Sequence, residues 1–362
     1  MSRPLVVLYG YESSTFTWKT RHVLRLKQIP YTFVTVPTMM PRPILRDNFN
    51  LTYRKIPVLT IGSKDLYCDT SIISEALEHF FPQSEGFQSL YPATQDGRTY
   101  RSLIRGFASY WTDRPLFRTT TGLMPASIWR SSFGQDRAQL IGHKLDPDKL
   151  EKKLPENLSR LDLQLSLFEP LFAETDGPWL FSTKTPSLAD ISIYYQLLWG
   201  EHISSGRYSN HISEGEIQND APGEIMSEVF NAERYPAVVT WYHRIRAYFD
   251  ELPSTEKQLD IEQVLDEMKR SPALGPKSLL LPTPRSAHAE LSAKTGLKEG
   301  ALVSVVPDDT GRDDPTIGTL LAISPEEVVI RPQALEEPAT LETRIHFPRI
   351  GFVVRPVPQP SL

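Results

Sequence analysis

Three short stretches carry the side chains whose types and spacing could do chemistry. Ser13-Ser14-Thr15 sets three hydroxyls in a row just ahead of a helical pattern. A hydroxyl at a helix N-terminus is a donor beside a partial positive charge, and that combination favours a bound anion. The same serine is also an ordinary N-cap. Lys55-Ile56-Pro57 puts a proline at the mouth of a strand-like run. Proline gives the ladder no N–H, and the X-Pro bond, usually trans, adopts cis at some turns. A cis Ile56–Pro57 bond would free the backbone of Ile56 to pair with an extended peptide. Asp69-Thr70 opens another helical pattern, where N–H groups suit a carboxylate and an acidic side chain suits an ammonium. Helix capping explains that pair equally well.

The elements that must hold these stretches are legible. Residues 4–9 are a continuous apolar run, a strand buried on both faces. A helix is expected over 16–27, a β-branched strand over 31–36, a short helix near 44–48 after a Pro-rich segment, a strand over 57–61, a turn at 62–65 and a strand over 65–68. A helix then runs to Phe80, with Ile72, Ile73, Ala76, Leu77 and Phe80 on its apolar face. The order βαβαββα is a thioredoxin-like α/β domain over 1–84. It brings the Ser14 turn and the Pro57 turn to one edge of the sheet. Residues 93–270 read as an all-α helical domain, with helices over 96–117, 148–173, 187–199, 235–252 and 255–270 and a loop insertion near 200–223. Ser187 and Asp190 form a capping-box pattern, with Asp in place of Glu. A Pro-rich linker is expected over 271–284. Five short β-type runs beyond it, over 301–306, 318–323, 327–330, 344–347 and 351–355, suggest a small all-β, barrel-like module over 285–362.

Composition narrows the function classes. Apolar residues at 40% and charged residues at 23% belong to a globular protein. A net charge of −5 argues against a nucleic-acid partner, which would need a basic patch. No apolar run reaches the ~20 residues that span a bilayer, and the first run is too short for a secretory leader. The lone Cys68 permits no internal disulfide and fits a cytoplasmic location. No metal-ligand spacing is present among the histidines, and 308–314 lacks the ligand alternation of a calcium loop, so it reads as a solvated hairpin.

Four features in order resemble the cytosolic glutathione transferase family. They are Ser13-Ser14 before Trp18-Lys19-Thr20-Arg21, similar to the zeta and omega classes; Lys55-Ile56-Pro57-Val58-Leu59; Asp69-Thr70-Ser71; and Pro186-Ser187-Leu188-Ala189-Asp190. The chain resembles an extended, fungal-type member with an added β module. The resemblance implies glutathione as co-substrate and a small electrophile, from secondary metabolism, as second substrate. The chemistry would be thiolate addition or glutathione-assisted isomerisation. Ser14, with Thr15 or Ser13 as substitutes, would stabilise the thiolate. Asp69 and Thr70 would hold the γ-glutamyl end, although Asp is one methylene shorter than the family's Glu or Gln. Ile56 beside Pro57 would pair with the cysteinyl backbone, and Lys55, Arg42 or Arg54 would meet the glycyl carboxylate. Tyr11, Phe16, Tyr110, Trp111, Arg114, Phe117, Arg118 and Met124 would line the second-substrate pocket, with Arg114 meeting an anion. Core packing is the competing role for the aromatics. The resemblance also implies a homodimer. The rival reading is a transferase-like protein without glutathione chemistry, an interaction scaffold or a non-thiol tailoring enzyme using the same cleft.

Overall fold

The computed structural model describes residues 3–218, 223–272, 280–281, 287–335 and 339–358. Much of the expected linker, 273–279 and 282–284, lies outside the described residues. The N-terminal order is β1 (Val6–Gly10), α1 (Thr15–Leu26), β2 (Tyr31–Thr35), α2 (Pro43–Phe49), β3 (Val58–Ile61), β4 (Asp65–Cys68) and α3 (Thr70–Phe80). β1 pairs in parallel with β2 and antiparallel with β3, and β3 forms a hairpin with β4. The strand period of two divides their side chains between two cores. Val6 and Leu8 face the helical domain, whereas Val7 and Tyr9 face a second core shared with the C-terminal strands.

The helical domain is built from α4 (Arg101–Gly106), a π-helical stretch (Phe107–Leu116), α5 (Phe117–Thr121), α6 (Ala126–Arg130), α7 (Ser132–Ile141), α8 (Pro147–Lys152), α9 (Leu154–Ala173), α10 (Leu188–Ser204), α11 (Ser209–Ile212) and α12 (Pro236–Glu251). The expected helix over 96–117 therefore starts later and changes its winding. Pro115 sits inside the π stretch and removes one amide donor there. The α10 helix extends beyond its expected end into the segment read as a loop. Its start is fixed by the capping box. Asp190 Oδ2 accepts from Ser187 N at 2.9 Å and Ser187 Oγ at 2.8 Å, while Oδ1 accepts from Leu180 N at 2.9 Å and Trp241 Nε1 at 3.0 Å. Burial pushes the Asp190 carboxyl up, and these hydrogen bonds pull against it.

The segment expected as one helix over 255–270 splits in two. β5 (Glu256–Gln258) pairs in parallel with β2, and α13 (Ile261–Arg270) packs Val264 and Met268 into the second core. Residues 256–270 thus return to the N-terminal sheet, and the helical domain ends with α12. Fully burying two such side chains is worth about 1.5–3 kcal/mol each.

After α14 (Ala287–Lys294), five strands appear close to the expected positions: β6 (Leu302–Pro307), β7 (Thr316–Ile323), β8 (Glu327–Pro332), β9 (Arg344–Pro348) and β10 (Phe352–Pro356). They do not stand apart. β9 pairs in parallel with β4, giving one ten-stranded sheet of order β10-β6-β7-β8-β9-β4-β3-β1-β2-β5. The seam is polar. His346, 1% exposed, sits between Glu327 (Nδ1 to Oε1, 2.7 Å) and Asp65 (Nε2 to Oδ1, 3.0 Å). Arg344 grips Asp65 from the other side, and the His346 ring stacks on Tyr67 at 4.5 Å.

Candidate active site

A cleft of about 570 Å³ opens where the Ser14 turn, the Pro57 turn, the start of α3, the π stretch with α5, and the C-terminal strands meet. Ser14 is the N-cap of α1, and its Oγ accepts from Thr17 N at 3.2 Å, which leaves the hydroxyl proton to donate. Thr15 lines the cleft too, and its buried Oγ1 has no protein partner. Helix α10 braces this turn, because Trp199 Nε1 donates to Ser13 O at 2.9 Å. Ser13 Oγ is 2.9 Å from His211 Nδ1 of α11.

Ile56 and Pro57 line the opposite edge, with a cis bond between them, just before the first ladder residue, Val58. A second cis bond, Met40–Pro41, was not foreseen. Asp69 caps α3 from the left-handed region, φ 87°, and its Oδ1 accepts from Ser71 N at 2.9 Å and Ser71 Oγ at 2.6 Å. Burial holds its carboxyl above the usual range, against those hydrogen bonds. Thr70 Oγ1 donates to Asp113 Oδ2 at 3.3 Å.

Asp113 is the residue the sequence did not single out. It lines the cleft from the π stretch and accepts from buried Lys19 (2.7 Å) and from Tyr195 OH (2.7 Å). Gln196 Nε2 donates in turn to Tyr195 OH at 2.8 Å. Lys19 lies five residues after Ser14 on α1, so this network ties the two helix starts to the floor of the cleft.

The cations of the cleft are mostly occupied. Lys55 Nζ meets Asp309 Oδ1 at 2.5 Å, and Arg54 reaches Asp136 (2.9 Å) and Asp314 (3.3 Å). Arg114 meets Asp308 at 3.1 Å. Arg42 spends its donors on the carbonyls of Pro37, Thr38 and Arg54. Burial alone would raise the Asp309 carboxyl, but the Lys55 ammonium outweighs it and the net shift is downward. The loop over 308–314, expected to be a solvated hairpin, instead crosses the cleft mouth, and Gly311 N donates to Leu140 O at 2.7 Å.

Of the expected residues, Tyr11, Ser14, Thr15, Phe16, Lys55, Ile56, Pro57, Asp69, Thr70, Arg114, Phe117, Arg118 and Met124 line this cleft. Two do not. Tyr110 is 56% exposed, and Trp111 packs on Phe107 and Phe168 with Nε1 bonded to Gln164 at 2.8 Å. The wider π winding turns Ser109, Asp113 and Arg114 to the cleft in their place.

The glutathione S-transferase N-terminal domain profile matches residues 8–85, and a domain of unknown function matches 120–252. No curated protein matches the chain. A GST-like protein from Pseudomonas syringae aligns over 99% of this chain and 100% of its own, at 24% identity and a TM-score of 0.59. That coverage takes in the C-terminal strands as well. Tau class glutathione S-transferase from mango aligns over 73% of this chain and 97% of its own, at 18% identity and a TM-score of 0.42. Rice GST1, in complex with glutathione, aligns over 75% and 97%, at 18% identity and a TM-score of 0.40. The chain has the glutathione transferase fold, and its residues 8–85 match the model of that family's N-terminal domain.

Proposed function

We propose that the cleft binds a thiol co-substrate, glutathione, and favours its thiolate for addition to, or isomerisation of, a small electrophile. The observation that carries this reading is that Ser14, Thr15, Ile56, Asp69 and Thr70 line one cleft, beside the starts of two helices. A free thiol, with a pKa of about 8.5, is mostly protonated at neutral pH. The Ser14 hydroxyl, donating at the N-terminus of α1, would favour the anion, and Thr15 Oγ1 lies beside it, buried and without a protein partner. The Asp113–Lys19–Tyr195 network fixes the Thr70 side chain, whose hydroxyl proton goes to Asp113, so an α-carboxylate would meet the backbone N–H groups at the start of α3. Glutathione supplies the sulfur nucleophile, and the chain's residues would bind it, orient it and stabilise its thiolate, the thiol proton passing to solvent.

Thermal melting in millimolar glutathione tests this directly: a rise is expected, and no shift would sink the reading. Retention on glutathione-agarose, released by free glutathione, is the companion measurement. The finer reading keeps a zeta-like role for Ser14, a cytoplasmic enzyme of secondary metabolism from a fungal source, and a homodimer. Exposed Leu103 and Tyr110 near α4, and Leu163 and Leu167 one turn apart on α9, support the dimer. A monomer mass by light scattering would overturn that part.

One observation favours a second reading. Lys55 and Arg54 are held by Asp309, Asp314 and Asp136, so a glycyl carboxylate would have to compete with the chain's own acids. A transferase-like protein acting without glutathione, as a scaffold or a non-thiol tailoring enzyme, fits that arrangement. Glutathione binding separates the two.

A further inference from the structure

The charges of the cleft are unevenly spent. Arg114 and Arg118 lie one turn apart at the end of the π stretch and the start of α5, and both line the cleft. Arg114 meets Asp308, and Lys55 across the cleft meets Asp309. Gly351 leaves the room for this: a Cβ there would come within 2.7 Å of Arg114 Nη2. Arg54 and Arg137 share Asp136, and Arg42 is committed to carbonyls. The Arg118 backbone carbonyl accepts from Gly122 N, but its guanidinium has no hydrogen-bond or ion-pair partner among the described residues. Beside it the wall turns apolar, with Phe117, Met124, Trp129, Phe133, Trp199 and Ile212.

We propose that Arg118 is the anion anchor of this cleft, made so by Asp308 and Asp309, which close the Arg114 and Lys55 end to anions, and that its ligand is an apolar molecule bearing a single carboxylate or sulfonate. The reasoning is electrostatic. A cation already facing a carboxylate offers an incoming anion repulsion from that carboxylate as well as attraction. An unpaired guanidinium next to an apolar wall offers a fork of donors at the edge of a surface that gains by being covered. The loop over 308–314 is therefore a specificity element. It comes from the C-terminal strands, yet it decides which end of the cleft accepts charge. The inference rests on the proposed function only in taking the apolar half of the cleft to receive a second small molecule.

The test uses two fluorescent probes without a thiol, anilinonaphthalene sulfonate and the neutral N-phenyl-1-naphthylamine, on the full chain. Wild type is expected to bind the sulfonate more tightly than the neutral probe. Arg118→Gln should weaken the sulfonate tenfold or more and leave the neutral probe within twofold. Arg114→Gln should leave both within twofold, because that guanidinium is already spent. In an Asp308→Asn background Arg114 becomes available, and Arg118→Gln should then cost less than threefold. Arg118 is exposed, so its loss leaves the fold intact, and melting temperatures of all variants serve as the check. Equal losses from Arg114→Gln and Arg118→Gln, no loss from Arg118→Gln, or a wild type that binds neither probe would each overturn the proposal. Because neither probe carries a thiol, these failures are distinct from a failure to bind glutathione.

Discussion

The seam between β4 and β9 makes stability depend on one proton. His346 faces Asp65 and Glu327 through its two ring nitrogens, with Arg344 on Asp65 and Tyr67 stacked over the ring. Burial alone would lower its pKa, but the two carboxylates outweigh burial and raise it above 6.5. The sign follows. A raised folded value means the native state holds a proton that the unfolded chain releases near pH 6.5. The stabilisation is complete below that pH and fades as pH climbs through the folded value. Within the window each pH unit removes about 1.4 kcal/mol. His346→Gln keeps one neutral donor but removes the charge, so Glu327, fully buried, is left with that amide and the Leu281 N–H at 2.7 Å and with no cation. Breaking one side of a buried pair costs about 3–5 kcal/mol, and the retained donor puts this variant near the low end. The double variant His346→Gln/Glu327→Gln removes the stranded carboxylate and should recover much of that loss. Hydrogen exchange of amides in 327–332 and 344–348, at pH 6 and pH 8 and corrected for intrinsic rates, reads the seam without assuming two-state unfolding of the chain. Protection should fall from pH 6 to pH 8 in wild type and stay nearly flat in His346→Gln. Equal slopes, or a double variant no better than the single one, would refute the reasoning.

Three other expectations follow from the geometry. Ser14→Ala should cut turnover of glutathione with an aryl halide by roughly 10²-fold at saturating substrate, as loss of one charge-stabilising donor does; unchanged turnover would remove Ser14 from the chemistry. Asp190→Ala strands the buried amides of Ser187 and Leu180 and the Trp241 indole N–H, and should cost at least about 3 kcal/mol in urea unfolding. Lys19→Met leaves the Asp113 carboxylate with hydroxyl donors only; weaker glutathione binding together with a lower melting temperature is the expected pair of readouts, and a change in neither would show the network to be idle.

The parts of the site legible in the sequence were local ones. A hydroxyl run before a helix, a proline before a strand and an acid–threonine pair at a helix start each carry their own short-range signal. So did the Ser187–Asp190 cap, because capping is read within four residues. The ion pairs over the cleft were not legible: Lys55 meets Asp309 only through the pairing of β4 with β9, which no periodicity announces. Glu256-Lys257-Gln258 reads as helix by propensity, and the exposed edge of β2 overrides it. Tyr110 and Trp111 miss the cleft for a geometric reason: residues 107–116 wind as a π-helix around Pro115, which changes the face a regular α-helix would present.

The ten-stranded sheet also dictates an order of events during synthesis. Leu66 of β4 is partnered by Ile345 of β9, from the far end of the chain. At about 5–20 residues per second, the ribosome needs roughly 15–60 s between making the first strand and making its neighbour. The thioredoxin-like unit therefore emerges with β4 as an open hydrogen-bonding edge, carrying Asp65 with neither His346 nor Arg344 to meet it. That acid points the nascent edge towards water and away from other chains, until the same carboxylate becomes the socket for the last strands to arrive.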